Sequence, residues 1–68
     1  MNFTERFNEL IKHCGKTQVQ IANEILVSKQ CVTDYKSGKS VPSIETLYLI
    51  CKCLDVSADY LLGLTDEY

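Results

Sequence analysis

A hydroxyl residue stands directly before a run of apolar residues at three- and four-residue steps four times in this chain, at Thr17, Ser28, Ser43 and Ser57. Residues of this kind cap helices, because their side-chain oxygen accepts from backbone N–H groups that the first helical turn leaves unpaired. Between these starts lie stops: Gly15, the run Ser37-Gly38-Lys39-Ser40, Asp55 and Gly63. Glycine enters the left-handed conformation that ends a helix without a Cβ penalty, and Asp tolerates it better than most residues. The alternation of starts and stops divides the chain into five short helices and predicts an all-α fold.

The periodicity inside each segment assigns its buried face. Phe3, Phe7, Leu10, Ile11 and Cys14 form one face of a first helix from about Phe3 to Cys14, with Asn2 as its cap and Gly15 as its stop. Thr17-Gln18-Val19-Gln20 reads as a capping box opening a second helix that ends near Ile25, followed by a turn through Leu26 and Val27. A third helix runs from Ser28 to Lys36, with Val32 and Tyr35 on its apolar side. Pro42 keeps Val41 extended before a fourth helix, whose stripe is Ile44, Leu47, Tyr48, Ile50, Cys51 and Leu54. Ser57 caps a short fifth helix with Asp59 in its first turn, where the helix dipole favours an acid. The predicted core is Ile21, Ala22, Ile25, Val32, Tyr35, Leu47 and Ile50.

Composition narrows the class. A chain of 68 residues, 46% of them hydrophobic, is expected to make one domain over residues 1–68, since so short a chain buries only about 60% of its unfolded surface. Its first residues lack the basic-then-apolar order of a secretion signal, and no apolar run is long enough to span a membrane. A cytoplasmic location is therefore expected. The net charge of -2 is unusual for a protein that binds nucleic acid, but it is unevenly spread. Residues 12–39 carry Lys12, Lys16, Lys29, Lys36 and Lys39 against Glu24 and Asp34, a balance of +3. Residues 40–68 carry Lys52 against Glu45, Asp55, Asp59, Asp66 and Glu67, a balance of -4.

The second and third helices, joined by about three residues, form a helix-turn-helix over about 17–36. Ala22 is small where the two would cross, and Ile21, Ile25, Val27, Val32 and Tyr35 supply the apolar contacts of the corner. The exposed side of the third helix is left with Lys29, Gln30, Thr33 and Asp34. These side chains hydrogen-bond base edges: Lys to guanine, Gln to adenine, Asp as an acceptor from cytosine.

In the stretches T-Q-V-Q-I-A at 17–22, V-S-K-Q-C-V-T-D-Y-K-S-G-K at 27–39, P-S-I-E-T-L at 42–47 and D-V-S-A-D-Y-L-L-G-L-T-D at 55–66, the chain resembles the phage-repressor and Cro-like helix-turn-helix family, also called the xenobiotic-response-element family. The resemblance covers nearly the whole chain and implies a compact five-helix, lambda-repressor-like DNA-binding domain. It implies that Lys29, Gln30, Thr33 and Asp34 contact bases. It implies that Gln18 touches a phosphate and braces the third helix, that Ser28 and Lys36 lie by phosphates, and that Ser37, Gly38, Lys39 and Ser40 present backbone N–H groups to the sugar-phosphate chain. It further implies a homodimer on double-stranded DNA, for which the C-terminal Tyr60, Leu61, Leu64 and Tyr68 are the expected patch, with Tyr48 a further candidate. Three positions depart from the family pattern. Leu26 stands where glycine is usual in the turn, Ile11 and Lys36 replace a frequent Arg-Glu pair, and Asp34 brings a negative charge to the groove.

The remaining reactive side chains point to no chemistry of their own. Cys51 and Cys53, two apart on a helix, face nearly opposite ways and cannot chelate one ion, so no metal is expected. Cys31, Cys51 and Cys53 read as small buried hydrophobes and Cys14 as the most exposed thiol, all reduced. His13 is alone, no phosphate-binding glycine loop or nucleophile elbow is present, and neither enzyme activity nor a cofactor is expected. The function that follows is a sequence-specific transcriptional regulator, a repressor at a palindromic operator. The rival reading is an antitoxin or protein-binding module with a partner protein, using the same fold.

Overall fold

The computed structural model describes residues 2–68 and contains five α-helices: α1 (Phe3–His13), α2 (Gln18–Glu24), α3 (Lys29–Ser37), α4 (Ile44–Leu54) and α5 (Ala58–Leu62). Among the described residues there is no β-strand. All four predicted hydroxyl caps form. The side-chain oxygens of Thr17, Ser28, Ser43 and Ser57 accept from the N–H groups of Gln20, Cys31, Thr46 and Tyr60, and the Gln20 amide oxygen closes the capping box on the Thr17 N–H at 2.8 Å. Asn2 departs from expectation. Its φ of -108° and ψ of 22° lie outside the extended capping geometry, and its side chain makes no cap hydrogen bond.

Helices α2 to α5 all end the same way. The residues at 26, 38, 55 and 63 take positive φ, and the next N–H returns to a carbonyl five residues earlier: Val27 to Ala22, Lys39 to Asp34, Val56 to Cys51 and Leu64 to Asp59, at 2.9–3.1 Å. This is the Schellman closure, which satisfies carbonyls that a helix end leaves over. Gly38 and Gly63 fill two of the left-handed positions, whereas Leu26 (φ 61°) and Asp55 (φ 56°) hold the others despite their Cβ atoms.

The core is Phe3, Phe7, Ile21, Ala22, Ile25, Val32, Tyr35, Ile50 and Leu61. Phe3 and Phe7 stack at 5.1 Å between centroids, and the ring of Tyr35 stands edge-on to both at 6.1 and 6.0 Å, so α1 is seated on α3 through three aromatic rings. Such edge and offset arrangements contribute about 0.5–1.5 kcal/mol per pair beyond area burial. Polar contacts reinforce the seat. Asn8 Nδ2 donates to the carbonyl of Lys36 at 2.8 Å and to that of Thr4 at 2.9 Å, so a neutral amide at Asn8 links α1 to the end of α3 where the family often has a charged pair.

Three burial expectations are corrected. Leu47 is only half-buried, and Ile44, read as part of the apolar stripe of α4, is 87% exposed; Tyr48, which the sequence placed both in that stripe and among the surface candidates, is 61% exposed. The covered part of α4 is Ile50 with the half-buried Leu47, Leu49, Cys51, Cys53 and Leu54 around it, and α2 and α5 are the helices that chiefly contact α4. Leu61, expected in a surface patch, is fully buried. All four cysteines are free and half-buried, so Cys31, Cys51 and Cys53 are less deeply covered than expected. The Cys14 thiol donates to the carbonyl of Ile11 at 3.4 Å and accepts from the Lys16 N–H. Burial pushes the thiols of Cys51 and Cys53 above their ordinary range, which keeps them protonated.

Candidate nucleic-acid interface

Helix α3 is held from beneath and from the side, which leaves one face free. Val32 and Tyr35 anchor it, at 0% and 5% exposure, and α2 crosses it where Ala22 is small and buried. On the opposite side Lys29, Gln30, Thr33 and Lys36 are exposed, and Asp34 is half-buried. The predicted base-facing residues thus share one accessible surface, with Ser37, Lys39 and Ser40 exposed at its end.

Hydrogen bonds divide these residues into engaged and available groups. Gln18 Nε2 donates to Thr33 Oγ1 at 2.7 Å and to the Lys29 carbonyl at 3.1 Å, which uses both amide hydrogens. Lys36 Nζ donates to Gln18 Oε1 at 3.4 Å. Gln18 therefore staples the start of α2 to the outer edge of α3. Thr33 is engaged too: its hydroxyl accepts from Gln18 and donates to the Lys29 carbonyl at 3.3 Å, so it has no donor left for a base and offers its methyl group and one remaining lone pair. Gln30 Nε2 donates to Asp34 Oδ1 at 3.0 Å. The Ser28 hydroxyl oxygen serves as the α3 cap, and no hydrogen bond restrains the Lys29 or Lys39 ammonium groups among the described residues.

The loop after α3 corrects one expectation. The N–H groups of Gly38, Lys39 and Ser40 already donate to the carbonyls of Tyr35 and Asp34, at 3.0–3.4 Å, in the closure of α3. They are not presented outward. The Ser37 hydroxyl is engaged as well, donating to the Asp34 carbonyl at 3.1 Å, so among the described residues the side-chain donors this loop leaves free are the Lys39 ammonium and the Ser40 hydroxyl.

Charge is redistributed relative to the sequence count. Lys16 forms an ion pair with Glu24 at 2.8 Å and also donates to the Cys53 carbonyl at 3.1 Å, joining the α1–α2 turn to α2 and to the end of α4. The bond to Glu24 raises the Lys16 ammonium and, with Lys16 as donor, holds the Glu24 carboxyl below its usual range. This pair removes one acid and one base from the balance and leaves Lys29, Lys36 and Lys39 as the cations along α3. In the acidic tail Asp66 is paired with Arg6 at 2.8 Å. Arg6 also donates to the carbonyls of Tyr60 and Thr65, and its guanidinium lies 4.3 Å over the Tyr60 ring. Arg6 and Asn8 escaped the sequence reading because the partners that link them to other elements are 28–60 residues away, for which local spacing gives no signal.

The C-terminal candidates split. Leu64 and Tyr68 are exposed at 74% and 71%, and Tyr68 meets half-buried Tyr60 edge-on at 4.7 Å. Leu61 faces inward and cannot touch another subunit without unfolding α5. No group of three or more potential metal ligands occurs among the described residues, and no helix is long and apolar enough to cross a membrane.

Comparison with known proteins gives one consistent result. A family model described as helix-turn-helix matches residues 8–61. The cryptic phage CTXphi transcriptional repressor RstR of Vibrio cholerae is 39% identical over 98% of this chain and 62% of its own length. The HTH-type transcriptional regulator YobD of Bacillus subtilis is 32% identical over 96% of this chain and 58% of its own. A crystal structure of a transcriptional regulator from Listeria innocua matches with a TM-score of 0.83 and 33% identity, covering 97% of this chain and 62% of that one. The chain thus spans about three fifths of the length of these relatives.

Proposed function

The chain belongs to the helix-turn-helix family of DNA-binding transcriptional regulators, and from that premise we propose that it is a sequence-specific repressor that binds a palindromic operator as a homodimer in the cytoplasm. The observation that carries this reading is the exposed face of α3, where Lys29 and Gln30 project from a helix fixed by Val32, Tyr35 and the Gln18 staple. A major groove admits such a helix, and Lys and Gln are donors matched to guanine and adenine edges.

In this mechanism α3 lies in the groove with Lys29 and Gln30 on bases, and the methyl group of Thr33 packs against a thymine methyl. Lys36, Lys39, Ser28, Ser37 and Ser40 follow the flanking phosphates, and Gln18 acts by holding α3 and Lys36 in register. Two subunits joined through Tyr60, Leu64 and Tyr68 place their α3 helices in successive major grooves about 34 Å apart. Occupancy of that site excludes polymerase. Lys36 and Lys39 meet the polyanion at short range, while charges on the far side of the domain are screened beyond a Debye length of about 8 Å.

The test is operator selection from a random duplex pool, followed by fluorescence anisotropy on the selected and a scrambled duplex. A two-fold consensus with at least a thousandfold preference over scrambled DNA, about the lower bound for specific regulators, supports the reading. Binding that is equal on both duplexes, or absent, refutes it and leaves the protein-binding module as the better account.

A further inference from the structure

On the premise that α3 reads DNA, we propose that Gln30 and Asp34 form one adenine-reading unit. Asp34 is the positioning residue of this unit, fixes the Gln30 amide and touches no base itself. The two lie one helical turn apart on the exposed side of α3, with Gln30 Nε2 donating to Asp34 Oδ1 at 3.0 Å. Pairs four residues apart meet on a helix surface, and an amide with a carboxylate is one of the pairings that hold.

The chemistry of the bond restricts what Gln30 can read. A free amide offers two N–H donors and one carbonyl acceptor. Adenine presents N7 as an acceptor beside its N6 amino donor, whereas guanine presents two adjacent acceptors, N7 and O6. An unrestrained Gln can meet adenine with one N–H and its oxygen, or guanine with both N–H groups. With one N–H committed to Asp34, the remaining donor and Oε1 still match adenine, but the second donor that guanine requires is gone. Turning the amide over does not restore it, because Oε1 would then face the Asp34 carboxylate. Cytosine offers a single donor and thymine a single acceptor, so each can satisfy only half of the pair. Asp34 also lies nearer the body of the domain than Gln30, being half-buried where Gln30 is exposed, which suits a support better than a reader.

The experiment compares operator selections for the wild type, Gln30→Ala, Asp34→Ala, Asp34→Glu and the double variant Gln30→Ala/Asp34→Ala, with circular dichroism to verify the fold of each. The position read by Gln30 is the one whose preference collapses in Gln30→Ala. At that position the wild type is expected to prefer adenine over guanine by about tenfold or more, as one bidentate contact allows. Asp34→Ala brings the ratio near one, and Asp34→Glu, which returns a carboxylate within reach of the next turn, restores it. In the Gln30→Ala background the loss of Asp34 changes nothing further at that position. The proposal is overturned if Asp34→Ala leaves the ratio intact, if its effect appears at another base pair, or if the effect persists without Gln30. Failure of the wild type to select any consensus would instead remove the DNA-reading premise, and the proposal with it.

Discussion

Leu26 stands in the left-handed region at φ 61°, in the turn that sets the angle between α2 and α3. For a residue with a Cβ that conformation costs roughly 1–2 kcal/mol, which glycine avoids. Glycine in turn lowers stability by about 0.4–1 kcal/mol relative to alanine, because its unfolded chain is freer. Since Leu26 is 79% exposed, little side-chain packing enters the comparison, and contrasting Leu26→Gly with Leu26→Ala removes even that. Taking the middle of each range, the glycine variant is more stable than the alanine variant by about 0.8 kcal/mol, the reverse of their order at an ordinary exposed site. At about 4–8 °C per kcal/mol for a domain of this size, the two melting temperatures should differ by some 3–6 °C. Thermal unfolding followed by circular dichroism, checked by urea titration, measures the gap. An alanine variant as stable as the glycine variant would refute the argument, because it would mean that the turn relaxes without the left-handed conformation.

Three further outcomes are expected. Lys39→Ala should weaken binding to operator and scrambled duplexes alike and reduce the slope of log K against log salt by about one unit, because each phosphate contact releases about one counterion; anisotropy across a salt series reads it. Burial pushes the Tyr35 phenol up to about 12 from its ordinary 10, with the Cys31 thiol beside it adding to the rise. A raised pKa means the neutral phenol is favoured in the folded state, so this contribution is complete below pH 10 and disappears as pH rises through 12, up to about 2–3 kcal/mol; tyrosinate absorbance rising together with unfolding in that window would show it. Leu64→Asp should shift the sedimentation equilibrium toward monomer with the helical circular dichroism spectrum unchanged, whereas Leu61→Ala, which empties a fully buried site, should cost about 2–5 kcal/mol of stability.

The parts of this molecule that were legible in its sequence are those decided within five residues. Caps at Thr17, Ser28, Ser43 and Ser57, and left-handed stops at Leu26, Gly38, Asp55 and Gly63, depend on the residue and its immediate neighbours, so each could be placed from spacing or from family resemblance. Depth was less legible. Helical periodicity shows which residues share a face but not how far a neighbouring helix extends over it, which is why Ile44 and Tyr48 lie in solvent and Leu61 in the core. At the candidate interface, residue types identified a hydrogen-bonding surface, but the internal bonds of Gln18, Thr33 and the loop N–H groups depend on atoms that only the folded chain brings together.

Arg6 has a consequence for how this chain folds. Its bonds to Tyr60, Thr65 and Asp66 join positions 54, 59 and 60 residues apart, so they close long loops between α1 and the segment from α5 onward. Loop-closure entropy grows with the logarithm of length, so contacts of such separation are expected to assemble after helix pairs nearer in sequence have docked. Interactions made after the folding transition state act on the unfolding rate. The expected signature of Arg6→Ala is therefore kinetic: the refolding arm of a chevron almost unmoved, the unfolding arm raised, and amide exchange faster in α1 and α5 together.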